Sequence, residues 1–251
     1  MSGLFNNPNT DYINNMVNFI ACLAHFCELH GPSTIICTQM TTLQDKSEHL
    51  LRNTSKLHSC ASCKLILPDD AVNLVTTMDN KNESNTPAVY ISTHYPSSQQ
   101  RYAALTKLIM KSLSVETTTD LSKPIFYGDV VNGYCISKIF KIKDLSSRGS
   151  ERKYSLMVIA DFETKLLQNW DIIATYLNEI ISLIQAQVDI VINNAIMKKE
   201  ASNANGAMFD NERYLRRSLI RPKSLVELTD DDQIFVKFHL WAIELLKDIT
   251  I

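Results

Sequence analysis

The sequence predicts an α+β fold, and three features predict it. A nearly continuous apolar run, Val17–Glu28, meets a turn signal at His30-Gly31-Pro32-Ser33 and returns as Thr34–Gln39, which reads as a β-hairpin with its first strand covered on both faces. Two more β-rich runs, Ile125–Val131 and Tyr134–Ile142, are joined by Asn132-Gly133, a dipeptide suited to the positive φ angles of a type I′ turn. Segments with helical periodicity gather toward the chain end, the segregation typical of α+β proteins.

The elements follow in order. Residues 1–15 are rich in Asn, carry no fold signal and are expected to form a flexible N-terminus; residues 16–251 read as one domain. Residues 41–87 are mostly polar and read as an insertion, most loop-like over Met78–Asn85. Ala88–Thr93 is a short edge-strand candidate. A helix is predicted to start after Pro96, with Ser97 and Gln100 spaced as a capping box, and to continue through Tyr102, Leu105, Leu108, Ile109 and Leu113. Residues 144–152 form a charged loop, and Tyr154–Asp161 a buried strand. Thr164–Lys198 reads as one long helix. Leu166, Trp170, Ile173, Leu177, Ile180, Ile184, Val188 and Val191 recur at steps of three and four, and Ile172, Tyr176, Leu183 and Ile190 add a second stripe. That apolar surface is wider than one sheet face normally needs: either part of it meets a partner, or the final helix and the sheet cover both stripes. Residues 199–213 read as a loop. Thr229 and Asp232 flank the start of a final helix carrying Ile234, Phe238, Trp241, Leu245 and Ile249.

Bulk composition narrows the function. Among 251 residues, 45% are hydrophobic and the formal net charge is −2, so no global basic field recruits nucleic acid or anionic lipid. The first basic residue is Lys46, so the apolar run at 16–27 lacks the basic region of a secretory signal. It is also too short, and with Asn18 and His25 too polar, for a membrane span. The six cysteines are expected to be reduced thiols in a cytoplasmic protein, with Cys22, Cys27 and Cys37 as core filler.

Several chemistries are missing. The chain has no G-x-x-x-x-G-K-[ST] loop, no G-x-G-x-x-G and no G-x-S-x-G, so it neither cradles a triphosphate nor presents a hydrolase serine in those ways. His25-Phe26-Cys27-Glu28-Leu29-His30 contains ligand types, but on a continuous strand His25 and Cys27 face away from Glu28 and His30. His58-x-Cys60-x-x-Cys63 supplies half a zinc site or a pair of free thiols; a fourth ligand would have to come from elsewhere, for example His49. Asp230-Asp231-Asp232 suits a helix start better than a cation. Lys138, Lys141, Lys143, Arg148, Arg152 and Lys153 form the main basic cluster, read either as a solvated hairpin or as a contact for phosphate or an acidic surface. On this basis we assign no metal and no cofactor.

Read together, many short segments resemble the folliculin family. They are His25–Pro32, Cys37-Thr38, Cys60-Ala61-Ser62-Cys63, Ser92-x-His94-x-Pro96-Ser97, Ser112-Leu113-Ser114, Pro124–Asp129, Ile142-Lys143-Asp144, Arg148-Gly149, Tyr154-Ser155, Arg217-Ser218-Leu219 and Trp241, collinear over roughly residues 19–248. The resemblance is to the short fungal members, without the DENN-type domain that follows the longin domain in longer ones. It implies a longin fold: a five-stranded antiparallel sheet with one helix on one face and two on the other. It also implies a GTPase activator rather than an enzyme on its own, one that acts with a larger longin/DENN folliculin-interacting partner on a Rag-family GTPase. The setting it implies is the vacuolar membrane, reached through partners, and amino-acid signalling to the target-of-rapamycin kinase. Fungal members are further linked to amino-acid permease sorting, which leaves a non-catalytic longin scaffold in the secretory pathway as the alternative. The family's arginine finger sits between Lys-Asp and Arg-x-Tyr-Ser. Here Lys143-Asp144 and Arg152-Lys153-Tyr154-Ser155 frame that loop, and Arg148 matches the finger.

Overall fold

The computed structural model describes residues 18–52, 60–78, 87–115, 120–144, 146–203 and 222–250. The N-terminal segment 1–15 and His58 lie outside them, as does most of the loop expected after residue 199.

Seven strands form one sheet: β1 (Ile20–Cys27), β2 (Gly31–Thr42), β3 (Leu74–Met78), β4 (Ala88–Thr93), β5 (Ile125–Asp129), β6 (Gly133–Lys143) and β7 (Glu151–Ala160). Their order is β3-β4-β2-β1-β7-β6-β5, and each neighbouring pair is antiparallel. The α+β class is as expected, but the described residues form seven strands rather than five. The polar stretch 41–87 accounts for part of the difference. It holds β3, an edge strand whose Thr-rich sequence is only half covered, and a short helix α1 (Lys46–His49).

β1 occupies the middle of the sheet and alternates as a doubly covered strand must. Ala21 and Leu23 enter one core, while Ile20, Cys22 and Ala24 enter the other. The smaller core lies under α2 (Gln99–Met110), whose Leu105, Leu108 and Ile109 pack with Cys37, Cys135, Met157 and Ile159. The helix is capped by Ser98, not Ser97: the Ser98 hydroxyl accepts from the Arg101 amide, and Ser97 instead donates to the Glu48 carbonyl. Beneath its C-terminal turn the hydroxyls of Ser112, Ser137 and Ser155 lie 2.8–2.9 Å apart, mutually satisfied in an otherwise apolar layer.

The larger core lies under the C-terminal helices. The expected single helix from Thr164 is interrupted at Asn169, giving α3 (Glu163–Gln168) and α4 (Trp170–Asn203). After α5 (Leu225–Thr229), α6 (Ile234–Thr250) closes the layer. From α4, Ile173, Leu177, Ile180, Ile184 and Val188 are buried with Phe235, Phe238 and Leu245 of α6 and with Leu156 and Val158 of β7. Trp170–Lys198 is apolar and long enough to cross a membrane by length and composition; its buried stripe packs on the sheet and α6, and 22% of its apolar window is buried. The second predicted stripe is partly uncovered: Tyr176 packs against the core, while Ile172, Leu183 and Ile190, continued by Met197, are 40–67% exposed. Among the described residues α2 covers one face and α3–α6 the other, where the resemblance implies one helix and two.

Candidate functional site

The connection from β6 to β7 carries the predicted finger. The ladder runs to its last pair, Lys143↔Glu151, so residues 144–150 must turn within a narrow neck. Asp144, 2% exposed, holds that neck. Its carboxylate accepts from Arg152 Nε at 2.7 Å and from the amide and hydroxyl of Ser146 at 3.0 and 2.6 Å, and Lys223 Nζ approaches to 3.4 Å. Its own amide donates to the Ser150 carbonyl at 3.0 Å, closing the loop. Burial by itself raises the Asp144 carboxyl; the hydrogen bonds from Ser146 and Arg152 outweigh it and hold the group below the usual carboxylate range.

Arg148 begins the single 3₁₀ turn Arg148–Ser150 at the tip. Gly149 follows with φ of 76°, a left-handed conformation that glycine adopts without strain, and a Cβ there would meet nothing within 4 Å. The Arg152 side chain is 9% exposed and turns inward, donating to Asp144 and, through Nη1 at 2.9 Å, to Ser62 Oγ. Arg152 is therefore part of the loop's foundation. The remaining basic cluster is internally engaged: Lys138 bonds Asn178, Lys141 pairs with Glu151, Lys143 with Asp189, and Lys153 donates to the Leu113 carbonyl.

Ser62 belongs to Cys60-Ala61-Ser62-Cys63, folded as a 3₁₀ turn in which the Cys63 amide donates to the Cys60 carbonyl. Here the structure departs from the sequence reading. β1 ends at Cys27, and His30 lies in the following turn rather than further along a strand, so its ring comes back beside Cys27. Cys27, His30, Cys60 and Cys63 converge, their four ligand atoms all within 4.8 Å of one another. Cys27 is thus not core filler, and His49 of α1 is not one of the four. Burial and the neighbouring thiols of Cys27 and Cys60 push the Cys63 thiol up. By contrast Cys22, Cys37 and Cys135 are plain core residues; burial drives the Cys37 thiol up to about 12. The signal that could have found His30 was the turn itself, since β1 stops at Cys27 and Gly31, with a φ of 75°, opens β2.

Asp230-Asp231-Asp232 serves helix ends. Asp230 closes α5 in a left-handed conformation, and Asp231 accepts from the Gln233 amide at 3.0 Å and pairs with Lys237 at 2.6 Å.

Comparison with known proteins places this arrangement. Residues 88–249 match the Folliculin family, described as a vesicle coat protein involved in Golgi to plasma membrane transport. Protein LST7 of Saccharomyces cerevisiae is 28% identical over 244 residues, covering 93% of this chain and 97% of that protein. Folliculin of Mus musculus is 24% identical over 92% of this chain, which spans 45% of the mouse protein. Folliculin-like protein bhd1 of Schizosaccharomyces pombe is 31% identical over 163 residues, covering 61% of this chain and 44% of that protein. The family match takes in more than half of the sequence, including α2, the β6–β7 loop and the C-terminal helices, and the chain belongs to the folliculin family.

Proposed function

We propose that the chain is a subunit of a heteromeric complex that stimulates GTP hydrolysis by a Rag-family GTPase, with Arg148 entering the GTPase site in trans. The observation that carries this reading is the build of the β6–β7 loop: a tip at Arg148-Gly149 on a neck fixed by Asp144 and Arg152. An arginine finger must reach out of its own protein and still arrive in one position, and a narrow tip on a buried ionic base meets both demands. A guanidinium keeps its charge at all times and offers forked donors that match phosphoryl oxygens. The complex acts in amino-acid signalling to the target-of-rapamycin kinase, and the protein is cytoplasmic and recruited to the vacuolar membrane through its partners.

The outer stripe of α4 supports the heteromeric part of the reading. Ile172, Leu183, Ile190 and Met197 recur close to whole numbers of helical turns and form one exposed apolar line. We assign that line to a larger longin/DENN folliculin-interacting partner. A second reading is favoured by the family's transport description: a non-catalytic longin scaffold in amino-acid permease traffic. Co-purification of the complex from cells, followed by a GTP-hydrolysis assay on a Rag-family GTPase, separates the two. Stimulation that depends on Arg148 supports the activator, and a complex that assembles without stimulating hydrolysis supports the scaffold. Leu183→Glu should lower partner recovery about tenfold or more while the chain stays folded; unchanged recovery would remove the partner from this face.

A further inference from the structure

We propose that Cys27, His30, Cys60 and Cys63 form a structural site for one Zn²⁺ ion, bound through three thiolate sulfurs and Nδ1 of His30. The inference does not depend on the Arg148 reading, because it concerns a different part of the molecule and is tested without a GTPase.

The geometry carries it. Four of the six edges are 3.5 Å from Cys27 Sγ to Cys60 Sγ, 3.6 Å from Cys60 Sγ to Cys63 Sγ, 3.4 Å from His30 Nδ1 to Cys63 Sγ and 3.7 Å from Cys27 Sγ to His30 Nδ1, and the other two are within 4.8 Å. A tetrahedron with Zn–S of about 2.3 Å and Zn–N of about 2.0–2.1 Å has edges of about 3.5–3.8 Å. The four donors therefore stand close to the corners that zinc requires. The same sulfurs are far from a disulfide, whose S–S bond is about 2.05 Å, and all are free thiols. Hydrogen bonding alone is a poor reason to bring three thiols together, since S–H is a weak donor and sulfur a weak acceptor.

The chemistry agrees. Three sulfurs and an imidazole are a soft donor set that suits zinc and repels magnesium or calcium. Four protein ligands complete the coordination, which marks a structural rather than a catalytic ion. On binding, the three thiols release their protons to solvent and the metal–ligand unit carries a net charge of −1. The surroundings are matched to that charge. His25 Nε2 lies 3.3 Å from Cys63 Sγ, placed to donate to a thiolate. Arg152 brings its guanidinium to Ser62 inside the knuckle, and its Nη2 is buried with no hydrogen-bond partner among the described residues. The Tyr154 hydroxyl, on the strand that pairs with β1 at His25, is buried and unpartnered in the same way. Entry is provided by an adjoining groove of about 320 Å³, lined by His30, Cys63, His94 and Tyr102.

The consequence is a clamp. The ion ties the end of β1 to a segment more than thirty residues further along, and Ser62 passes that constraint through Arg152 to Asp144 at the base of the β6–β7 loop.

The test is elemental analysis of the full chain purified under reducing conditions without chelator. It should hold about one zinc per chain. Cys60→Ser and Cys63→Ser should lose most of it, whereas Cys135→Ala, a cysteine of the other core, should keep it. Because the ligand variants could misfold, the wild-type chain is also stripped with chelator and refilled with cobalt. Visible absorption bands of tetrahedral thiolate-bound cobalt, displaced by zinc, support the site. So does a melting temperature that falls on chelation and recovers with zinc but not magnesium. The proposal is overturned if the fresh protein carries no stoichiometric zinc and the stripped protein takes up cobalt without thiolate bands. It is equally overturned if mass spectrometry finds a disulfide among Cys27, Cys60 and Cys63, or if the resident metal is iron.

Discussion

At one end of β6 the chain turns through residues 130–132; at the other it turns through 144–150. The first turn is held by its own neighbours. Asp129 Oδ1 accepts from the amides of Val131 and Asn132 at 2.9 and 2.8 Å, and the Asn132 side chain returns to the same carboxylate. Val130 and Val131 point away from the protein, 87% and 82% exposed. The second turn is held from a distance: Asp144 is gripped by Arg152 and Lys223, and Arg152 is gripped in turn by Ser62, ninety positions back. A turn that depends only on adjacent residues keeps its shape whatever happens elsewhere. A loop that depends on remote segments inherits their stability, and its position reports on theirs.

The largest expected effect breaks this contrast at the Arg148-Gly149 tip. Arg148→Ala should lower stimulation of GTP hydrolysis by about 10³-fold or more, with complex assembly and melting temperature unchanged. Arg148→Lys should fail as well, since an ammonium lacks the fork. Asn132→Ala, at the opposite turn, should leave the rate alone; wild-type hydrolysis by Arg148→Ala would remove the finger assignment. Next in size is Asp144→Ala, which strands the buried Arg152 guanidinium and should destabilise the fold by about 3 kcal/mol in urea titration. Stimulation should fall with it even though Arg148 is intact. If the rate survived, the neck would not position the tip.

Ser62→Ala sharpens the contrast further. It removes one hydrogen bond to a buried cation and should cost about 1–2 kcal/mol. Its signature is faster amide exchange in residues 144–150, far from the substitution in sequence. Exchange confined to the neighbourhood of residue 62 would show that the linkage does not reach the loop. The pH dependence has a defined sign. The Asp144 carboxyl is lowered in the folded state, so its contribution is present above the ordinary aspartate value of 3.8 and is lost as pH falls through the lower folded value. Acid melting curves of wild type should therefore fall more steeply below about pH 4 than those of Asp144→Asn, which does not titrate. The smallest effect belongs to Asp129→Ala: a slight drop in melting temperature and no change in exchange at 144–150 or in stimulation.

The same contrast explains how much was legible in the sequence. The β5–β6 hairpin was readable because Asn132-Gly133 signals a turn by itself; the Asp129 carboxylate then lengthens it to three residues, with Gly133 paired to Asp129. β1, β7 and the α4 core stripe were readable because apolar periodicity is local. The neck of the β6–β7 loop was not, because Asp144 meets partners that only folding brings near. The four converging donors were half visible as Cys60-x-x-Cys63. Cys27 was hidden by its apolar neighbours, and His30 by an assumed strand that in fact stops three residues earlier. β3 was hidden because an edge strand covered on alternate residues needs few apolar side chains, so Thr76 and Thr77 looked like loop. His239 is a similar case. Its ring bridges Ser92 and Thr76 across the sheet, a structural bond with no mark in the surrounding helix pattern.

The central place of β1 bears on how the protein is made. Among the described strands β1 is made before the other six, yet it lies between β2 and β7, and its register with β7 joins Ile20 to Ile159. Until residue 159 is synthesised, one long edge of that strand has no partner, although the strand is apolar on both faces. Pairings between such distant residues close slowly, because the loop entropy must be overcome before the contacts form. The nascent chain therefore carries an open, sticky edge until β7 is made. An edge of that kind is open to pairing with another chain until β7 covers it.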